Sequence, residues 1–228
     1  RIEVEKSAPE KAEENKTIRY TIEKVRNTGN CTVDNFTLTD RLPAQVKLVE
    51  LRIGTFSGLK DTEKYSLWYQ TSQNSEYRLW KSDIPADENT ELPVSELNLA
   101  DGEEVTAFQY RFGTVNKGFT ELQKPEYLVQ VKTGLADGEE IVNRIELAGD
   151  KLGVSYLVED ETVTKVEKPY ISDGGNSPDN QAPIFLQSAQ TGDKTAIGVW
   201  LLTAVAAVII TGIVIARKMI ENRRRKEE

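Results

Sequence analysis

Much of the chain up to residue 168 alternates apolar and polar residues with a period of two. Such alternation is typical of strands that bury one face and leave the other in water. The clearest examples are Ile2/Val4, Ile18/Tyr20/Ile22, Phe36/Leu38, Phe108/Tyr110/Phe112 and Tyr127/Val129/Val131. Turn-forming Gly, Asn and Asp residues separate these segments, and no helical periodicity accompanies them. The pattern predicts an all-β body over residues 1–168, folded as an antiparallel β-sandwich.

The hexapeptide LADGEE occurs twice, at residues 99–104 and 135–140, each time before a β-branched residue. Asp-Gly is a common turn dipeptide, and nothing else recurs at the same offset. We therefore interpret the two copies as similar turns that lead into strands, rather than as an internal repeat. A calcium loop is disfavoured, because the segments lack alternating Asp and Asn ligands.

Residues 195–216 contain no charged side chain and are mostly apolar. At ~1.5 Å per residue, a helix of this segment would be about 33 Å long, enough to cross a hydrocarbon core of roughly 30 Å. The tail that follows, residues 217–228, has six basic and three acidic side chains. The segment therefore predicts a single transmembrane helix with a cytoplasmic basic tail and an extracellular body. A buried core helix is the alternative.

Composition excludes several classes of function. The chain has no His and one Cys, which excludes a Ser-His-Asp triad, a histidine metal site, an intrachain disulfide and a cysteine zinc cluster. A net charge of −8 argues against nucleic acid as a partner. We therefore expect no enzyme, no metal and no cofactor. The chain opens at Arg1 without an apolar leader, so the numbering is expected to start after processing or within a longer chain.

Residues 169–193 are rich in Ser, Gly, Asn, Asp and Pro, a composition typical of a flexible linker. This linker contains Ser188, Ala189, Gln190, Thr191 and Gly192, just before the apolar segment and its basic tail. The arrangement resembles the cell-wall sorting signal of Gram-positive surface proteins, with Ser-Ala in place of the usual Leu-Pro. The resemblance implies that a sortase cuts between Thr191 and Gly192 and joins Thr191 to peptidoglycan. The alternative is an ordinary single-pass anchor.

Four segments carry a second resemblance: residues 2–6, 20–30, 33–43 and 141–145. Together they resemble the domain-of-unknown-function-eleven repeats of bacterial surface proteins. The resemblance is good over residues 1–50 and thin between residues 55 and 135, where an insertion is expected. It implies an Ig-like β-sandwich that serves as a stalk or adhesin module without catalysis.

Related surface sandwiches cross-link themselves through an amide between a Lys and an Asn side chain, and this resemblance suggests candidates here. They are Lys6 on the first strand, Asn143 on the last strand of the resemblance, and Asp40 as the acid between them. The reaction needs a buried, neutral lysine and a carboxylic acid kept protonated by apolar surroundings. The alternative, favoured by the rarity of buried ionisable residues, is that Lys6 is solvated, Asn143 ends a strand and Asp40 caps a turn.

Five aromatic residues lie close together at Tyr65, Trp68, Tyr69, Tyr77 and Trp80. An exposed row of this kind could stack on sugars, but such residues more often fill a core or a cross-strand ladder. Trp68 and Tyr69 are adjacent on a predicted strand, so they should face opposite sides of the sheet. We favour the core interpretation and expect one of these two rings to be exposed.

These observations together predict a non-enzymatic structural or adhesive module on the surface of a Gram-positive bacterium. Its expected partners are a sortase, peptidoglycan, the membrane and an extracellular or host ligand. One alternative is a single-pass type I membrane receptor for an unknown ligand. A further alternative is a membrane-tethered carbohydrate-active protein, which would need two converging carboxylates in a cleft beside the aromatic row.

Overall fold

The computed structural model describes residues 1–169, and strands make up most of this part. The helical element there is one 3-10 turn at Val94–Leu97. The all-β prediction is therefore confirmed for the body. The thirteen strands are β1 (Ile2–Ser7), β2 (Lys11–Ala12), β3 (Thr17–Asn27), β4 (Val33–Arg41), β5 (Val46–Arg52), β6 (Thr55–Leu59), β7 (Lys64–Thr71), β8 (Asn74–Pro85), β9 (Glu91–Pro93), β10 (Val105–Gln123), β11 (Glu126–Val131), β12 (Glu140–Lys151) and β13 (Val154–Val166).

Within residues 1–169, no helix is long and apolar enough to cross a membrane. The predicted sorting motif, transmembrane helix and basic tail all lie outside the described residues. The linker at residues 169–193 and the insertion around residues 55–135 stay predictions.

Twelve of the thirteen strands form two hydrogen-bonded layers, and the remaining strand, β6, pairs with β10. One layer runs β2-β13-β12-β4-β10-β7-β8, and the other runs β1-β3-β11-β5-β9. All of these pairs are antiparallel except β2 with β13. The two layers join where Thr120 of β10 pairs with Arg26 of β3.

Strand β10 belongs to both parts of the fold because it bends. Its first half pairs with β4 and β7, and its second half pairs with β6. The register to β4 shifts on both sides of Gly113, whose φ is +73°. A side chain is strained at such a φ, so glycine suits this bulge. The bend carries the chain from one layer towards the other.

The core lies between the inward faces of the two layers. Tyr20 of β3 and Tyr127 of β11 stack with ring centroids 5.0 Å apart. Phe108, from the opposite layer, meets the Tyr127 ring edge-on, also at 5.0 Å. These aromatic contacts across the layers support the sandwich architecture, and their rings enclose the site described next.

The two LADGEE segments form matching turns. In each, a glutamate carboxylate accepts a hydrogen bond from the backbone N–H three residues earlier: Glu103 from Ala100 at 3.1 Å and Glu139 from Ala136 at 2.9 Å. One turn ends just before β10, and the other leads directly into β12. The interpretation of these segments as turns before strands is confirmed.

Candidate functional site

Four polar side chains occupy inward positions on four different strands. Lys6 lies on the same face of β1 as Ile2 and Val4. Asp40 lies on the same face of β4 as Phe36 and Leu38. Asn143 lies between Ile141 and Ile145 on β12, and Tyr127 shares its phase on β11 with two valines. Because successive side chains in a strand point to opposite faces, the apolar neighbours force these polar groups into the core. All four are buried.

Strand pairing brings these positions together. Asp40 pairs with Ile145 across β4 and β12, so Asn143, two residues away, is its diagonal neighbour on the same face. Lys6 pairs with Ile22 across β1 and β3, which places it diagonal to Tyr20. Tyr20 in turn pairs with Tyr127 of β11. The site therefore draws on both layers of the sandwich.

The polar atoms form a continuous chain of hydrogen bonds. Lys6 Nζ donates to Asp40 Oδ2, and the Tyr127 hydroxyl donates to the same oxygen at 2.8 Å. Asn143 Nδ2 donates to the Tyr127 oxygen, also at 2.8 Å. Asp40 Oδ1 and Asn143 Oδ1 have no hydrogen-bond partner within the described part of the chain. The lysine and the asparagine thus meet through one carboxyl group and one phenol.

The surroundings of the lysine are apolar and aromatic. The side chains of Lys6 and Asp40 are both fully buried. Lys6 Nζ lies 5.0 Å from the Tyr20 ring centroid and 5.1 Å from that of Tyr127. One further carboxylate is close: Asp160 of β13 accepts a hydrogen bond from the backbone N–H of Lys6 at 2.6 Å.

This burial shifts the pKa of each ionisable group towards its neutral form. Burial lowers the pKa of Lys6 from its ordinary 10.5, although the neighbouring Asp40 favours the charged amine. Burial raises the pKa of Asp40 from its ordinary 3.8, against the opposing effect of Lys6. Burial also raises the pKa of Tyr127 well above its ordinary value. A neutral amine has a free electron pair, and a neutral carboxyl group can donate a proton, so this arrangement suits attack on an amide.

The structure brings together the three residues that the sequence singled out for a cross-link, Lys6, Asp40 and Asn143. The alternative interpretation of these residues is wrong. Lys6 is not solvated, and Asp40 is a buried strand residue rather than the cap of a turn, because apolar neighbours in the same strand phase hold both inside. Asn143 lies inside β12 rather than at its end.

Sequence reasoning missed Tyr127 as a member of the site. The alternation in β11 correctly placed its ring in the core, but it gave no indication of what the hydroxyl contacts. The available signal was weak: Tyr127 carries the one polar side-chain atom on an inward face otherwise made of Val129 and Val131. Its partners come from β4 and β12, whose proximity depends on the tertiary fold.

The five aromatic residues divide between the core and the surface. Tyr65 and Tyr69 are buried, whereas Trp68, Tyr77 and Trp80 are half-buried. Trp80 packs edge-on against Tyr69 with centroids 5.9 Å apart. The prediction that Trp68 and Tyr69 face opposite ways is confirmed. The core interpretation therefore holds for part of the row but not for Trp68 and Tyr77.

On the outer face, Trp68 and Tyr77 flank the guanidinium of Arg111. The guanidinium carbon lies 4.1 Å from the Trp68 ring centroid and 5.5 Å from that of Tyr77. An open cleft of about 400 Å³ beside them is lined by Trp68, Arg111, Asp61 and Asp83 among others. Both aspartates are exposed, so this cleft has no carboxyl group in apolar surroundings comparable to those of Asp40. Such surroundings are one way to keep the carboxyl group of a general acid protonated, and neither aspartate of this cleft has them.

Among residues 1–169, no three Cys, Asp or Glu side chains are grouped so that they could hold a metal ion. The predicted sorting residues, Ser188 to Gly192, lie outside the part of the chain that the structure describes.

No protein-family model matches this chain, and no curated protein is similar to it at a significant level. Its resemblance to the repeat family therefore stays a prediction. Among solved structures, the collagen-binding subdomain of the Enterococcus faecalis surface protein ACE is similar at 13% identity and a TM-score of 0.32, over 72% of this chain and 94% of that chain. BcpA, the major pilin subunit of Bacillus cereus, is similar at 15% identity and a TM-score of 0.37, over 72% of this chain and 39% of that one.

A third similar structure is the collagen-binding domain of a Staphylococcus aureus adhesin, at 10% identity and a TM-score of 0.32, over 72% of this chain and 97% of that chain. These scores are too low for an assignment by similarity. The fold and the candidate function rest on the strands and side chains of this chain itself.

Proposed function

We propose that this protein is a non-enzymatic structural or adhesive module of the bacterial cell surface, whose sandwich is closed by an amide between Lys6 and Asn143. The observation that carries the proposal is the fully buried hydrogen-bond chain from Lys6 through Asp40 and Tyr127 to Asn143. A buried lysine opposite an aspartate gives little net stability as an ion pair. Its presence on an otherwise apolar strand face is better explained by chemistry.

The reaction balances without any added reagent. The neutral amine of Lys6 attacks Cγ of Asn143, and a new bond forms between Nζ and Cγ. The bond between Cγ and Nδ2 breaks, its electron pair stays on Nδ2, and that nitrogen leaves as ammonia. One proton passes from Nζ to the departing nitrogen, with Asp40 as the acid and base beside the attacking amine. The fold replaces a chance encounter of the two side chains by a fixed one, which favours this slow reaction.

The position of the bond suits a load-bearing role. Lys6 lies on β1 and Asn143 on β12, the last strand but one of the body. A force that enters before β1 and leaves after β13 would pass through the amide, so the chain between these residues would carry no load. The hydrogen bonds between two strands can break one after another under force, whereas a covalent bond stays intact. The part of the body between Lys6 and Asn143 would then act as a stiff stalk segment.

The mass of the purified full chain tests the cross-link. We expect the wild-type protein to be lighter than its sequence by one ammonia, and a branched peptide should join Lys6 to Asn143 after digestion. Lys6→Met and Asn143→Ala should each have the full mass of their sequences. Lys24→Met is the matched control, since Lys24 is a surface lysine that pairs with exposed Glu5. That variant should still lose ammonia.

A wild-type chain that is folded but has the full mass of its sequence would exclude the cross-link. The site would then be an unreacted buried pair, and the stalk function would lose its main support.

The proposal includes display at the surface through the C-terminal sorting signal, with Thr191 as the residue joined to peptidoglycan. Its support is the order of linker, Thr-Gly, apolar segment and basic tail in the sequence. In native cells, a wall-digesting enzyme should release the wild-type body, while Thr191→Ala should need detergent. Release of both forms by detergent alone would instead favour a permanent single-pass receptor.

A further inference from the structure

Tyr127 lies between the acid, Asp40, and the leaving nitrogen, Nδ2 of Asn143. The cross-linking reaction proposed for Lys6 and Asn143 gives it no role. Its hydroxyl is within 2.8 Å of both Asp40 Oδ2 and Asn143 Nδ2. A phenol has one proton, and Tyr127 donates it to Asp40, so it can only accept from Asn143. The nitrogen side of the carboxamide therefore faces the tyrosine, while Oδ1 has no partner in the described part of the chain.

The reaction requires a proton at this nitrogen. An amide nitrogen is a poor leaving group until it is protonated, and in the resting amide its electron pair is delocalised into the carbonyl. Attack by Lys6 makes Cγ tetrahedral and ends this delocalisation, so Nδ2 becomes a basic amine. The hydrogen bond between Nδ2 and Tyr127 can then reverse, because Nδ2 can now accept the phenol proton.

We propose that Tyr127 is a catalytic residue that relays a proton from Asp40 to Nδ2 of Asn143. This inference rests on the proposed cross-link. Asp40 takes a proton from the attacking Nζ and gives one to the Tyr127 oxygen. Tyr127 gives its own proton to Nδ2, the bond from Cγ to Nδ2 breaks, and ammonia leaves with the electron pair. Tyr127 ends the reaction unchanged, and the net transfer is one proton from Nζ to Nδ2.

The neighbouring Tyr20 provides a close internal control. Its ring centroid is at nearly the same distance from Lys6 Nζ as that of Tyr127, and the two rings stack on each other. Its hydroxyl is buried as well, and burial raises its pKa to about 12. However, this hydroxyl has no partner at hydrogen-bonding geometry within residues 1–169, although Asn143 and Thr164 lie near enough to lower its pKa. The two tyrosines therefore share burial and packing, but of the two only Tyr127 is hydrogen-bonded to Asp40.

The test compares Tyr127→Phe with Tyr20→Phe in the full chain. Newly synthesised protein is sampled at intervals after a short pulse of synthesis, and intact mass gives the fraction that has lost ammonia. Only chains that resist limited proteolysis are counted, so unfolded molecules do not contribute. We expect Tyr127→Phe to slow ammonia loss about 100-fold, the lower range for a general acid or base, and Tyr20→Phe to leave the rate unchanged.

Equal rates for Tyr127→Phe and the wild type would overturn the relay while leaving the cross-link intact. Equal slowing in both variants would also overturn it, because packing around Lys6 would then explain the effect. A wild-type chain that never loses ammonia would refute the cross-link itself, so the two failures are distinguishable.

Folding is measured separately by adding Tyr127→Phe to Asn143→Ala, in which no bond can form. We expect the double variant to unfold cooperatively, as Asn143→Ala does. Loss of the folded state there would assign the hydroxyl to folding and would overturn the relay.

Discussion

The body holds two cations that each lie against two aromatic rings, one inside and one outside. Lys6 has the rings of Tyr20 and Tyr127 at 5.0 and 5.1 Å within the core. On the outer face, Arg111 lies against Trp68 at 4.1 Å. The contacts are alike, but Arg111 is half-buried whereas the Lys6 side chain is fully buried.

Burial makes the consequences different. In water an arginine keeps its charge, and its stacking on aromatic rings contributes about 0.5–1 kcal/mol. In the core, the cost of a charge favours the neutral amine, and burial moves the pKa of both Lys6 and Asp40 in that direction. The same type of contact therefore contributes packing at one site and, in the cross-link that we propose, a reactive amine at the other. Three predictions sharpen this comparison.

The largest effect should come from Asn143→Ala. If the bond forms, it closes a long loop between Lys6 and Asn143. By the chain-entropy relation for disulfides, a cross-link of that size restricts the unfolded chain by about 5 kcal/mol. Denaturant unfolding should show a loss of that order relative to the wild type. Ile141→Ala is the control from the same buried face of β12: it removes core volume without removing either reacting group.

Ile141→Ala should be destabilised by about 2–5 kcal/mol yet still lose ammonia. An Asn143→Ala variant with the same denaturant midpoint of unfolding as the wild type would contradict the prediction, because no covalent restraint would then have been lost.

The inward orientation of Lys6 and Asn143 could have been predicted from the sequence. Lys6 shares its phase with Ile2 and Val4, and Asn143 shares its phase with Ile141 and Ile145. Alternation alone therefore places both side chains in the core. The rarity of buried ionisable residues argued for solvent exposure, and here the local pattern was the better guide, because each strand has one consistent apolar face.

Other features depend on the tertiary fold. The period of two does not tell which strands are neighbours, so neither the pairing of β4 with β12 nor the proximity of Tyr127 to Asp40 follows from it. The split of the aromatic row had a similar cause. Trp68 and Tyr69 were predicted to diverge, but only the position of Arg111 on the adjacent β10 shows what covers Trp68.

The second prediction concerns pH and uses Asn143→Ala, in which the amine stays free. Between the ordinary pKa values of 3.8 and 10.5, the unfolded chain holds one proton on Lys6 and Asp40 together. The folded pair also holds one, whether on the amine or on the carboxyl group. The proton count does not change on folding, so this pair should make stability independent of pH over roughly pH 5–9.

Adding Asp40→Asn breaks this balance. Lys6 then has a lowered pKa in the folded state, so the unfolded state binds a proton that the folded state does not. Stability should therefore rise with pH towards 10.5, by at most about 1.4 kcal/mol per pH unit, and fall as pH decreases. Asp160 beside Lys6 favours the charged amine and should weaken the slope. The free energy of unfolding, measured at several pH values, should slope in the double variant only. A flat profile in both would mean that Lys6 keeps its charge in the core.

The smallest effect is expected on the outer face, for Arg111→Gln. The guanidinium stacks on Trp68, and its Nε donates to Gln109 Oε1 at 2.6 Å. Because the group is half-exposed, removing its charge should cost no more than about 1 kcal/mol in the free energy of unfolding and should leave the ammonia loss complete. Arg111→Lys keeps the charge but not the planar stacking, so it separates the two contributions. A loss of several kcal/mol, or an incomplete cross-link, would mean that the outer cation supports the core as much as Lys6 does. The contrast between a packing cation and a reactive one would then fail, because the difference in burial would no longer account for the difference in role.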